Sequence, residues 1–131
     1  MLRLPSPFID SRGKIQILAH EHNGSVAVID SAPHVERANH YHKEDYHYCY
    51  VIYGEIYYYD RLVGDSNPPR RTIYKQGEFF YTPPMVEHCM FFPVPTAFVT
   101  IGGKTRLQHD YEADLVRIAS LHQEFISKND K

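Results

Sequence analysis

From Lys14 to Ile101 the chain is a succession of short runs in which apolar and polar residues alternate or β-branched residues cluster. The runs are KIQIL (14–18), SVAVID (25–30), YHYCYVIY (46–53), EIYYYDR (55–61), TIYKQGEFFYTPP (72–84), EHCMFFP (87–93) and AFVTIGG (97–103). A period of two places alternate side chains on opposite faces, which is the signature of a half-buried strand. Asn23-Gly24 is a hairpin signal, because both positions tolerate the positive φ of a tight turn. Gly54 splits two Tyr-rich runs, and VGDSNPPRR (63–71) reads as a longer loop. Short strands at roughly 8–12-residue spacing predict an all-β sandwich or barrel. After Asp110 the pattern changes: Tyr111, Leu115, Ile118, Leu121, Phe125 and Ile126 recur near a 3.6 period. One amphipathic C-terminal helix over about 110–127 is therefore expected, with Asp110 at its N-cap, Lys128 near its C-terminal dipole and its apolar face on the barrel.

No repeat, low-complexity tract or linker composition interrupts the 131 residues, so one domain is expected, its barrel over about 14–103. A chain of this size buries roughly two-thirds of its unfolded surface and needs no disulfide staples. Two cysteines, Cys49 and Cys89, make no disulfide framework, and with no secretory leader in view the expected compartment is the cytoplasm. The formal net charge of −2 argues against a nucleic-acid partner, and no apolar run is long enough to span a bilayer.

Nine histidines are more than ordinary composition supplies, and they cluster. His40 and His42 are one residue apart, so on a strand both imidazoles leave the same face and can share one ion at about 2.0–2.1 Å. His47 begins the next strand, on a face with Cys49, Val51 and Tyr53, and His88 follows a Pro83-Pro84 turn. His20, His22, His109 and His122 stand alone and read as surface or hydrogen-bonded residues.

The histidines fall in an arrangement that resembles the two motifs of the cupin superfamily. The first motif runs G-x5-H-x-H-x3/4-E-x6-G; here His40-Tyr41-His42, four residues, His47, six residues and Gly54 reproduce its spacing. The second runs G-x5-P-x4-H-x3-N, and Gly77, five residues, Pro83, four residues and His88 reproduce that. The chain departs from the pattern at three places: His34 stands where the first Gly would be, His47 where the acidic ligand would be, and Phe92 where the final Asn would be. The resemblance implies a double-stranded β-helix, that is, a jelly-roll barrel, holding one divalent transition metal with His40, His42, His47 and His88. Four neutral imidazoles leave the ion its full charge and suit Zn, Fe, Ni, Cu or Mn rather than a hard cation.

Two shorter likenesses concern substrate. PFIDSRGKIQIL (7–18) resembles the D-x-R-G opening of deoxysugar-nucleotide epimerases, and Arg37-Ala38-Asn39-His40-Tyr41-His42 resembles the R-G-x-H-A-H segment of sugar-nucleotide ketoisomerases. They imply an isomerase or epimerase of a keto-sugar nucleotide in polysaccharide biosynthesis, with Arg12, Arg37 and Tyr53 as contacts to a carbohydrate-like ligand. Odd spacing sets Arg37 on the face opposite His40 if the strand is regular. No catalytic acid or base is assigned. A metal-dependent dioxygenase of a small organic substrate and a non-catalytic sugar- or metal-binding module are the alternatives. Tyr46, Tyr48, Tyr50, Tyr57, Tyr58 and Tyr59 put aromatics on both faces of their strands, more than one small barrel encloses, so a homodimer is expected.

Overall fold

The computed structural model describes residues 3–21, 24–104 and 108–129; Asn23 of the expected hairpin turn and His22 lie outside them. In chain order the elements are β1 (Phe8–Asp10), β2 (Gly13–Glu21), β3 (Gly24–Ser31), β4 (Val35–His42), β5 (His47–Tyr53), β6 (Glu55–Leu62), β7 (Arg70–Lys75), β8 (Phe79–Thr82), β9 (Val86–Phe92), β10 (Thr96–Gly102), α1 (Gln108–Asp114), β11 (Leu115–Arg117) and α2 (Leu121–Asn129). Two antiparallel sheets form, in the orders β1-β2-β3-β10-β5-β8 and β11-β4-β9-β6-β7. The alternating runs predict two such β layers, and the jelly-roll arrangement is the one that the motif resemblance implies. The run 72–84 divides between the sheets, β7 going to one and β8 to the other, with Gly77 turning the chain at φ 84°.

Alternation decides what each face meets. On the larger sheet Ile29, Cys49, Val51, Phe80 and Phe98 point inward; from the facing sheet come Ile56, Tyr58, Met90 and Phe92. Together they make the main core, and Tyr58 inside it satisfies its hydroxyl against Thr82. The opposite face of β6 and β9 buries Tyr59 and Cys89 beneath Leu121 of α2, with Ile118 and Phe125 alongside. Gly54, the last residue of the first histidine motif, turns the chain at φ 93°, and a Cβ there would stand 2.5 Å from the Pro95 carbonyl oxygen. Only glycine fits that approach.

The C-terminal region differs from the single helix expected over 110–127. α2 is the C-terminal helix. Before it, Leu115–Arg117 leaves the helical path and pairs with His42, Tyr41 and His40 along the edge of β4. The 3.6-residue spacing of apolar side chains does not weigh the backbone groups of an otherwise open sheet edge, which β11 satisfies. Asp110 accordingly lies inside α1 rather than capping a long helix, and Ser120 sits at the start of α2, accepting a hydrogen bond from Gln123 N at 3.0 Å. Among the described residues no helix is long and apolar enough to cross a membrane.

Candidate metal centre

β4 and β9 are neighbours, and their register sets His40 directly opposite His88. His42 follows on the same inner face, two residues along β4. The ligand nitrogens of His40, His42 and His88 all lie within 4.8 Å of one another, and all three residues are buried. Ring centroids are 4.7 Å apart for His40–His88, 4.8 Å for His40–His42 and 5.8 Å for His42–His88. His47 reaches the cluster from β5 of the facing sheet, its ring 4.9 Å from that of His42. It stands outside the group of three, with Nε2 3.6 Å from Asp45 Oδ2. Gly102 makes room for it: a Cβ at that position would come 2.9 Å from His47 Nε2.

Burial keeps His40 and His88 neutral, the form that ligates a metal. Burial, reinforced by the neighbouring His88 and His42, holds His40 far below the ordinary imidazole range. Burial also pulls His88 down to about 4, against the opposing pull of the Val86 carbonyl. A neutral imidazole carries one proton and one lone pair. His88 Nδ1 lies 3.0 Å from the Val86 carbonyl oxygen, and His42 Nδ1 lies 3.1 Å from Asp114 Oδ2. Those acceptors place the proton on Nδ1 and the lone pair on Nε2 in both residues. His40 Nδ1 is buried with no hydrogen-bond partner. Three close, buried imidazoles with such an orphaned nitrogen fit a borderline-soft divalent cation, and they fit a hard oxygen-seeking one poorly.

The cluster forms one wall of a cavity of about 430 Å³ whose apolar lining includes Ile15, Ile17, Ile29 and Met90. Arg12, Arg37 and Arg117 line it too. Arg37 corrects the expectation that it faces away from His40. Ala38 and Asn39 adopt φ of 71° and 56°, and the β4–β9 pairing slips between Ala38 and His40. This bulge adds a residue, so Arg37 and His40 emerge on the same side. The bulge is anchored by the C-terminal segment: Ile118 N donates to the Asn39 carbonyl at 2.9 Å, and Leu121 N donates to Asn39 Oδ1 at 3.1 Å. Arg37 is buried and donates from Nε to Ser31 Oγ at 2.8 Å and from Nη2 to the Asp30 carbonyl at 3.1 Å. Arg12, more exposed, donates from Nε and Nη2 to Asp10 Oδ2 at 2.9 and 2.6 Å.

Tyr53 does not line the cavity. A register slip near Ala97 ends the alternation of β5, leaving Tyr53 exposed with its hydroxyl donating to Asp30 Oδ1 at 3.3 Å. Of the histidines read as isolated, His109 is exposed, whereas His122 is buried, with Nδ1 2.7 Å from the Tyr59 hydroxyl. The side chain of His20 and all of His22 lie outside what is described. Three residues of the site were not legible in the sequence. Tyr111 and Asp114 come from α1 and Arg117 from β11, about seventy residues from the ligand strand they approach, since 72 positions separate Asp114 from His42.

No family model and no curated protein matches the sequence. Solved structures do match the fold. The capsular polysaccharide assembling protein CapF from Staphylococcus aureus superimposes with a TM-score of 0.79 at 17% identity, over 92% of this chain and 35% of CapF. This chain thus spans about a third of the CapF length. KdgF from Halomonas sp. gives a TM-score of 0.67 at 13% identity, over 82% of this chain and 91% of KdgF. Oxalate decarboxylase OxdC from Bacillus subtilis, as an S161A mutant, gives 0.66 at 21% identity, over 77% of this chain and 28% of that one. The fold these structures share with this chain is the double-stranded β-helix, two antiparallel sheets closed into a jelly roll.

Proposed function

We propose that this cupin barrel binds one divalent transition-metal ion and acts as an isomerase or epimerase on a keto-sugar nucleotide. His40, His42 and His88 hold the ion, with His47 as the fourth nitrogen from the facing sheet. The observation that carries the reading is that imidazoles and arginines line one cavity. Moving a proton beside a ketone requires a group to take it and a means of stabilising the enolate. A bound divalent ion supplies Lewis acidity toward the carbonyl oxygen. The aliphatic wall of Ile15, Ile17, Ile29 and Met90 excludes water from the sugar. Tyr111 is the tyrosine that lines the cavity and takes the role of proton donor. A volume of about 430 Å³ seats a sugar, so the diphosphate lies at the mouth, where the Arg12 side chain is 39% exposed. CapF, by its name a capsular polysaccharide assembling protein, agrees with a sugar substrate.

Isothermal titration with UDP- and dTDP-linked sugars tests this. Binding is expected, and Arg12→Ala weakens it by about 1.5–3 kcal/mol because a phosphate–guanidinium contact is charge-assisted and forked. Arg12→Lys recovers part of the loss, having a point charge and no fork. No heat with any nucleotide sugar at millimolar concentration removes the substrate class.

The outer face of β5 and β8 favours a homodimer. Tyr46, Tyr48, Tyr50, Phe79 and Tyr81 are 36–55% exposed there, and Tyr48 stacks on Phe79 with ring centroids 5.5 Å apart. β8 is also the open edge of its sheet. A second copy covers this face, so light scattering gives twice 15.3 kDa at micromolar concentration. A mass of 15.3 kDa contradicts the dimer.

A further inference from the structure

We propose that Asp114 is the positioning residue of the metal centre, fixing the proton of His42 on Nδ1 so that Nε2 is the nitrogen offered to the ion; this rests on the metal-binding reading above. Asp114 ends α1, far along the chain from the ligand strands, yet it is tied to the site at four points. Its Oδ2 lies 3.1 Å from His42 Nδ1. Its Oδ1 accepts from Glu44 N at 2.9 Å, and Oδ2 accepts from Asp45 N at 3.1 Å. Its main-chain oxygen accepts from Lys43 N at 3.0 Å. The next residue, Leu115, pairs with His42 in the sheet. The carboxylate is therefore held by the backbone that immediately follows the ligand and is presented to the ring as a fixed acceptor.

His88 has a neutral carbonyl behind it, and His40 Nδ1 has no hydrogen-bond partner. His42 alone in the triad is backed by a carboxylate. An anionic acceptor raises the basicity of the opposite nitrogen and restricts ring rotation, and losing such a partner weakens metal binding about 10–100-fold. The rival roles are a loop staple, acting only through Lys43, Glu44 and Asp45, and a direct cation ligand. The second is a geometric option, because the ligand atoms of His42, Asp45 and Asp114 lie within 4.8 Å of one another.

The test combines zinc titration against a chromophoric chelator with long-range ¹H–¹⁵N spectra of the metal-free protein, for the native chain, Asp114→Asn and Asp114→Ala. Asp114→Asn keeps the shape and one oxygen acceptor, so it remains informative if the alanine variant does not fold. The native spectrum is expected to show His42 protonated on Nδ1. Asp114→Ala is expected to lose that single tautomer and to bind zinc about 10–100-fold more weakly, with Asp114→Asn between the two. Zinc affinity within twofold of native in both variants, with the His42 tautomer unchanged, overturns the proposal. Native protein that takes up no zinc removes the metal reading. The tautomer spectra still decide whether Asp114 governs His42, since they need no metal.

Discussion

Replacing His42 with alanine lowers the affinity for Zn²⁺ or Co²⁺ by about a hundredfold or more, while the two sheets stay folded. His42 is the most enclosed of the cluster, 2% exposed, and its ring lies 4.8 Å from that of His40 and 4.9 Å from that of His47. It thus adjoins both the β4–β9 pair and the β5 histidine. The main core contains no member of the cluster, so its packing survives the substitution. Cobalt absorption, followed during titration, reads the loss directly, and far-ultraviolet dichroism reads the fold. The exposed His109→Ala is the control and leaves both unchanged. A His42→Ala protein that binds cobalt as the native chain does refutes the assignment.

In the metal-free protein, stability falls as pH drops from about 6.5 toward 4. His88 keeps its ordinary value of 6.5 when unfolded and falls to about 4 when folded. In that interval the unfolded chain binds the extra proton and the folded chain does not, so acid favours unfolding. The stability is fully present above 6.5 and is lost as pH falls to 4. His88 alone accounts for on the order of 3 kcal/mol. His40 and His122, both held low first by burial, act in the same direction. Asp45 opposes them: burial raises its carboxyl above 3.8, so its neutral form favours the folded state at the acid end of the range. Urea denaturation at pH 7, 5.5 and 4.5 checks the sign. A midpoint that is flat or rises toward acid contradicts it.

Most of the fold was written in local patterns. The alternation in SVAVID (25–30) survives as a strand whose burial alternates residue by residue, and the His-x-His spacing brings two imidazoles to one face because β4 is regular from His40 to His42. Gly54 kept its motif position for a steric reason visible only in the structure, the close Pro95 carbonyl. What escaped was non-local or irregular. A bulge built from Ala38 and Asn39, neither a glycine, carries no sequence signal, and it reversed the face of Arg37. A register slip removed Tyr53 from the interior. Leu115–Arg117 chose the edge of β4 over a helix, because pairing with a strand seventy-odd positions away outweighed local periodicity. The same excursion carried Asp114 to His42, a contact that no motif spacing encodes.

The metal centre is tested most directly by loading the purified chain with Zn²⁺ or Co²⁺, counting ions per chain and recording X-ray absorption at the metal edge. The expected result is one ion per chain with a shell dominated by imidazole nitrogens at about 2.0–2.1 Å. A chain that retains no ion after loading and desalting, or one whose bound ion shows only oxygen neighbours, contradicts a centre built on His40, His42 and His88.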